Sequence, residues 1–504
     1  MIPYFIKETL HMIDKENYHL EYKTAKKSVP KDFWETYSAF ANTDGGKVIF
    51  GISEENKFQY KLVGVTDPDK IKTDLLNQLG DSAKVSTNLV DEKDVKIITK
   101  ANKKLVEITI KPANYEKKPV YLNNQLGNAY VRVGDGDRKI KPEQLKYLIA
   151  NSSEHIDNEL LDNYTIADLN AADIDNYRNI LIKNTGNDKL KNLSYEQFLF
   201  EIGAIKIDRN NNNRDKKLTV GALLFFGKYN AILDKFKGFQ LDYFKKNSSI
   251  ESSWMDRISS GDMNFPEMNI FSFYQQTLVK LTQSISDKFT QDADLTRGSY
   301  RSDLVIAVKE ALVNSLMHAY YDSDKPISIY DYHDYYEFNN PGDMRVSKEE
   351  FIHGNNPVTR NSIISVLFRK VGIAERAGSG GPRIFESAEK NHLRIPDIVK
   401  KEEFTTIRIW KVDLLASLHD LSDNEKRIVE YAMDHPLFSI KELVENTKLT
   451  DFKVRKLIKK LFELGTVDRV GNGKSTRYTL NSNEETSILG FKLLVKKFED
   501  GWNK

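Results

Sequence analysis

The sequence predicts an α+β multidomain protein, and three observations carry that prediction. Its 504 residues exceed what one hydrophobic core organises, so three or four domains are expected. Strand-like and helix-like patterns alternate through the first 150 residues and again between about residues 220 and 410. From Leu421 the pattern changes to three short, capped helices followed by two strands.

Composition narrows the function classes. Lys and Arg number 75 against 73 Asp and Glu, a net charge of +2, so any nucleic-acid surface has to be local. Cysteine is absent, which excludes disulfides, thiolate zinc sites and cysteine nucleophiles and fits a cytoplasmic protein. The opening MIPYFIKETLHMIDKE breaks with charge too early for a signal peptide or a span, so no membrane association is expected. No repeat or low-complexity tract occurs.

Residues 1–150 read as an α/β domain. A helix through KDFWETYSAFANT stops at Asp44-Gly45-Gly46, and residues 47–52 form a buried strand. Residues 68–80 are an amphipathic helix, 95–110 a hairpin turning near Asn102, 119–121 and 129–134 a strand pair, and 141–150 a closing helix. Arg132, Arg138, Lys139 and Lys141, flanked by Tyr121 and Tyr130, form either a phosphate-tracking patch with stacking rings or a solvated basic edge. Residues 151–190 read as a polar connector with one strand and one helix. Beyond it come a helix at 193–205, an exposed loop at 208–215 and a buried strand or helix-to-strand run at 218–229. A strand at 236–244 and a long helix at 265–287 complete this part, with Trp254, Phe271 and Phe273 as core residues.

The stretch SDLVIAVKEALVNSLMHAYYD (302–322) predicts the helix around which the chain is organised. Glu310, Asn314 and His318 are spaced to stack on one face, opposite an apolar stripe of Leu304, Val305, Val308, Leu312 and Leu316. An acid that polarises water, an amide that ligates Mg²⁺ and a further polar group that reaches phosphate suit a nucleotide–metal site. An aromatic strand at 327–338 leads to the loop Asn339-Asn340-Pro341-Gly342-Asp343. A second loop, Glu375-Arg376-Ala377-Gly378-Ser379-Gly380-Gly381, leads into a helix near Pro382. Glycines there let backbone N–H groups approach an anion. The other reading of this helix is a solvated polar face.

EALVNSLMHAYY, NNPGD and RNSIISVLFRKVGIAERAGSGGPRI together resemble the C-terminal ATP-binding module of bacterial proteins called RecG-like helicases. That module is related to the GHKL ATPase fold of gyrase B, MutL, heat-shock chaperones and histidine kinases. The resemblance implies a Bergerat-type ATP site in an α/β sandwich over residues 191–412. Glu310 would be the water-activating acid and Asn314 the Mg²⁺ ligand. Asn340, before Gly342, stands where the superfamily has its adenine-binding Asp, and Gly378, Ser379 and Gly380 match the phosphate lid. No GxxxxGK[ST] occurs, so nothing supports a translocating helicase motor.

At the N-terminus ExxxxExK, FANTDGGKVIFGI and PVY…NAYVRVGD resemble the Schlafen AlbA-type domain, over residues 1–150. The family implication is nucleic-acid contact, with an acidic trio that cleaves tRNA-like RNA using a divalent metal. Glu16 and Glu21 match the first two acids, and Glu54 is the candidate third, although Ser53 also stands near that position. Glu16 and Glu21 would hold Mg²⁺ or Mn²⁺. The alternative is that they pair with Lys23, Lys26 or Arg132 to hold the fold.

The C-terminal pattern is a winged helix-turn-helix by spacing alone, over residues 420–481. Ser422 caps the first helix, Pro436 stops it, Ser439 caps the second, and Thr450-Asp451 starts the third. Gly465 closes that helix, and TVDRV and TRYTL form the wing. In a DNA-binding version the third helix enters the major groove and Lys453, Arg455, Lys456, Lys459, Lys474 and Arg477 meet phosphates; the alternative is an assembly surface. Residues 482–504 read as a short helix and tail.

The modules add up to an ATP switch controlling two nucleic-acid-facing ends, in an oligomer that is at least a dimer. The nucleic acid is tRNA, single-stranded DNA or duplex DNA. Metal-dependent cleavage in stress or antiphage defence would be an added activity. The alternative is an ATP-sensing winged-helix transcriptional regulator without nuclease activity, and a third reading is a scaffold that only binds.

Overall fold

The computed structural model describes residues 15–56, 59–152, 156–210, 212–249, 252–285, 300–354, 358–374, 378–401, 404–418, 421–435, 437–470 and 476–481. It divides into two units, residues 1–154 and 155–504.

The first unit runs β1 (Leu20–Lys23), α1 (Phe33–Asn42), β2 (Gly46–Phe50), β3 (Ile52–Asn56), β4 (Gln59–Leu62) and α2 (Pro68–Leu79). It continues with β5 (Val95–Lys100), β6 (Lys103–Ile110), β7 (Tyr121–Leu122), β8 (Gln125–Val133), β9 (Gly136–Lys139) and α3 (Pro142–Ser152). The main sheet has the order β1-β2-β6-β5, with β1 parallel to β2. Phe33, Tyr37 and Phe40 of α1 pack with Val48, Phe50, Val106 and Ile108 in its core. The β5–β6 hairpin turns through Ala101 and Asn102, both in the left-handed region, where Asn is tolerated far better than most residues.

The second unit opens with α4 (Ala171–Thr185), α5 (Tyr195–Ile202), β10 (Ile205–Ile207), β11 (Lys216–Leu218), α6 (Val220–Phe226) and α7 (Tyr229–Lys235). Then follow β12 (Leu241–Lys245), β13 (Asp256–Ser259), α8 (Ile270–Ser284), α9 (Tyr300–His318), β14 (Ile327–Asp331), β15 (Tyr335–Pro341), α10 (Lys348–His353) and α11 (Ser362–Lys370). After α12 (Gly380–Lys390) come β16 (Asp397–Lys401) and β17 (Phe404–Trp410). Six strands form one mixed sheet in the order β13-β12-β14-β15-β17-β16. Helix α9 packs on β14, β15 and β17 and against α8 and α12. The last segment is α13 (Asp423–Asp434), α14 (Ile440–Thr447), α15 (Asp451–Glu463) and the hairpin β18 (Val467–Val470)–β19 (Arg477–Leu480), around its own core of Ile428, Phe438, Leu443, Val454 and Leu461.

Four expectations need correction. Residues 151–190 are no connector: Leu161, Leu169, Ile174, Tyr177 and Leu181 belong to the main core of the second unit. Tyr177 donates to the Leu367 carbonyl at 2.7 Å, and the expected strand is an isolated bridge at Leu160. The aromatic run at 327–338 is a hairpin of β14 and β15, because Tyr332 and Tyr335 close a turn. The stretch Asn339–Pro341 therefore ends a strand instead of forming a loop. Trp254 is 49% exposed, whereas Phe271 and Phe273 are fully buried. The 218–229 run resolves as helix α6, whose seven residues are all buried.

Candidate functional site

Helix α9 contains neither Gly nor Pro and buries side chains nearly all round, among them Leu304, Ala307, Val308, Ala311, Leu312 and Leu316. Glu310 is also buried, at 9% exposure. A carboxylate in that position demands a partner, and Arg383 of α12 supplies one, its guanidinium 3.0 Å from Glu310 Oε1. Asn314 and His318 line two cavities beside α9, and Glu310 lines one of them.

Two adjoining chambers open there. The first is largely apolar, walled by Met344, Val346, Phe351 and Ile407, with Asn340 and Thr405 at its side. These last two are register partners on β15 and β17. The second is polar and walled by Glu310, Thr359, Ser362, Ser365, Arg369 and Ser379. Asn314, His318, Gly378 and Gly380 line both.

Glycine is required at this junction. A Cβ on Gly380 would stand 2.8 Å from Glu310 Oε2 and 3.1 Å from Asn314 Nδ2, and one on Gly381 would meet the Phe351 carbonyl oxygen at 1.9 Å. Gly378 has φ +64°, and the N-terminus of α12 follows directly. Gly342, expected at the cofactor, is not among the cavity's lining residues. Its φ of +106° turns the chain out of β15, and its carbonyl accepts from Thr405 Oγ1 at 2.8 Å. Burial pushes the His318 imidazole down to about 4, with Arg360 and Arg345 adding repulsion. At neutral pH it is uncharged and can meet an anion only through an N–H.

The sequence reading missed Arg360, Arg369 and Arg383. Arg360 donates to the His318 carbonyl at 2.8 Å and the Asp343 carbonyl at 2.7 Å, tying the end of α9 to the segment after β15. Its neighbour Asn361 donates to the Met317 and Ala319 carbonyls at 3.0 and 2.8 Å. The signal was present: Ser362, Ser365 and Arg369 recur at helical spacing.

In the first unit the acids are engaged otherwise than a metal site needs. Glu21 Oε1 accepts from Lys23 and Oε2 from Arg132, each at 2.8 Å. Glu16 Oε1 accepts the Tyr22 N–H at 2.8 Å. Burial raises the Glu16 carboxyl, the Tyr22 bond opposes this, and the charges of Glu21 and Glu54 raise it further. The three acids thus feel one another, yet among the described residues no group of three or more His, Asp or Glu could hold a metal. Glu54 lies on β3 with an exposed side chain. These residues do not fit the implied ion. Arg132 is also no phosphate-tracking residue. Its side chain is fully buried, bridging Glu21 and Asp137, each at 2.8 Å. Arg138 and Lys139 remain exposed on β9.

In the C-terminal segment Lys453, Arg455, Lys456 and Lys459 are exposed along α15. Arg455 is held by Asp451 at 2.6 Å, Lys459 by Glu463 at 3.8 Å and Arg477 by Glu442 at 2.9 Å. Lys474 lies outside the described residues. Phe452, not singled out from sequence, is 80% exposed beside Lys453.

Comparison with known proteins agrees with this architecture. Residues 16–141 match the family described as "Schlafen, AlbA_2", residues 324–409 "Putative ATP-dependent DNA helicase recG C-terminal", and residues 146–242 a domain of unknown function (DUF8451). The first two matches point to a nucleic-acid-related, ATP-binding protein of mixed α/β multidomain build. The chain carries a Schlafen AlbA_2 domain and, further on, a RecG C-terminal (HATPase_c_4) domain. That second match begins after α9, so it includes Asn340 and Gly378–Gly380 but not Glu310, Asn314 and His318. A crystal structure of the DIP2311 protein from Corynebacterium diphtheriae is 14% identical, covering 92% of this chain and 94% of that one, with a TM-score of 0.39. The solution structure of the N-terminal domain of a helicase RecG-related protein from Nitrosomonas europaea is 27% identical, covering 26% of this chain and 86% of its own, with a TM-score of 0.19. No curated protein matches the chain. Among the described residues, no helix is long and apolar enough to cross a membrane.

Proposed function

We propose that this protein is an ATP-regulated nucleic-acid-binding protein, in which nucleotide held beside α9 sets how the N-terminal unit and the C-terminal helices engage nucleic acid. The observation that carries the reading is the paired chamber: an apolar slot with Asn340 at its side opens, past Asn314 and His318, into a polar chamber holding Glu310. A purine ring suits the first and a polyphosphate the second. The Asn340 amide pairs with an edge of the base, and the α12 N-terminus with Gly380 receives phosphate. Mg²⁺ fits through the Asn314 amide oxygen and, when bound, would offset phosphate charge. Arg383 holds the Glu310 carboxylate in place. Glu310 takes a proton from water as the water oxygen attacks the terminal phosphorus, and the bond to the bridging oxygen breaks to release ADP.

The C-terminal segment is a winged helix that binds DNA through Lys453 and Lys456, which are exposed and carry no ion pair among the described residues. Its work is done in the cytoplasm by a homo-oligomer. Between the nuclease and regulator readings, the engagement of Glu21 by Lys23 and Arg132 favours regulation without cleavage.

The test measures binding of tRNA, single-stranded DNA and duplex DNA with ATP, ADP or no nucleotide, alongside Glu310→Ala and Asn314→Ala. ATP-dependent affinity, slowed hydrolysis in the first variant and weakened Mg²⁺-ATP binding in the second are expected. Nucleotide-independent affinity in a protein that binds no ATP overturns the reading. Cutting that vanishes in a Glu16→Ala/Glu21→Ala variant, itself folded as the wild type, would restore the nuclease.

A further inference from the structure

Helix α11 presents Ser362, Ser365, Val366 and Arg369 to the polar chamber, three or four residues apart along one face. Its N-terminus is fixed by Asp157, whose carboxylate accepts the N–H groups of Ser362, Ile363 and Ile364 at 2.9, 2.6 and 3.0 Å. The helix is therefore a firm mount for the residue at its other end.

That residue is a cation with no anionic partner among the described residues. Arg369 Nε is buried and has no hydrogen-bond partner. No ion pair involves its guanidinium among the described residues, and the chamber's carboxylate, Glu310, already pairs with Arg383. Folded proteins seldom leave a buried donor unmatched, and an ordered water, an ion or a ligand supplies the acceptor. A guanidinium presents a planar fork that fits two phosphate oxygens. The Ser365 hydroxyl on the same face adds a donor for an anion, whereas that of Ser362 already donates to Asp157 at 3.4 Å.

We propose that Arg369 recognises the terminal phosphate of a nucleoside triphosphate and makes the chamber discriminate tri- from diphosphate. The assignment rests on reading the α9 cavity as a nucleotide site. Arg369 shares the second chamber with Glu310, the residue assigned to the attacking water, and does not line the apolar slot. Its contact belongs to the phosphate that leaves, not to the base or the diphosphate. The switch then has a physical trigger, since α11 gains an anionic partner with ATP and loses it with ADP.

The experiment is equilibrium binding of ATP, ADP and inorganic tripolyphosphate to the full chain with Mg²⁺, in wild type, Arg369→Ala and Arg369→Lys. Circular dichroism and melting curves check that each variant folds. Arg369→Ala should lose roughly ten- to a hundredfold in ATP affinity, the range for one charge-assisted bond, with ADP affinity within about twofold of wild type. Arg369→Lys should fall between, keeping the charge without the fork. Equal weakening of ATP and ADP, or no change in either, overturns the proposal while leaving the nucleotide site standing. Arg369-dependent binding of tripolyphosphate by a wild type that ignores ATP would sink the nucleotide reading and keep the anion site. Binding of none of the three overturns both.

Discussion

Arg132 joins two strands and the chain before them by donating to Glu21, Asp137 and the Asn17 carbonyl, while its guanidinium lies 5.0 Å from the centre of the Phe40 ring. Removing one carboxylate leaves a buried cation undercompensated. Glu21→Ala should therefore destabilise the first unit by about 3 kcal/mol in urea denaturation, whereas a Glu21 that served only a metal would cost little. His318 offers a second test at this scale. Its folded pKa is depressed from 6.5 to about 4, so the unfolded state binds more protons in that window. The contribution is complete above pH 6.5 and is lost as pH falls toward 4. Between pH 7 and pH 5 it should amount to about 2 kcal/mol, and His318→Asn should flatten the dependence. The residue types of the site were legible in their spacing, but pairing was not. The sequence leaves open whether Arg132 turns in to Glu21 or out to phosphate, and nothing local marks Arg383, whose acid Glu310 lies 73 residues away.

Elements with local signals were readable to within a few residues. The capping box of α13, where Glu425 accepts the Ser422 N–H at 2.7 Å, and the Asn102 turn are fixed by neighbours in sequence. The hairpin of β14 and β15 escaped because His333-Asp334 carries no glycine to mark its turn. The helix expected within 151–190 is α4, and only its place in the core escaped, because three buried residues sit among polar ones. The motif FANTDGG proved to be a folding device. Asn42 binds the Val120 N–H and the Val120 and Tyr130 carbonyls at 2.7, 2.9 and 2.9 Å, and a Cβ on Gly45 would meet the Ile110 carbonyl oxygen at 2.7 Å. At the site, Gly380→Ala should reduce ATP affinity at least tenfold with little change in melting temperature, measured by titration and calorimetry, because the added methyl enters the space between Glu310 and Asn314. In α15, Lys453→Glu with Lys456→Glu should weaken duplex binding and lower the salt slope by about 2. An unchanged slope would make this helix an assembly surface.

For the whole molecule, the near-equal charge totals leave no single-signed field over the chain, so any nucleic-acid surface is local. The second unit begins at residue 155, and Asp157 is already clamped to the first turn of α11, 1% exposed and spread over three backbone N–H groups. The chain that opens the second unit is thus pinned to the helix that walls the polar chamber. Whatever shifts that helix also shifts the first residues of the second unit's own chain.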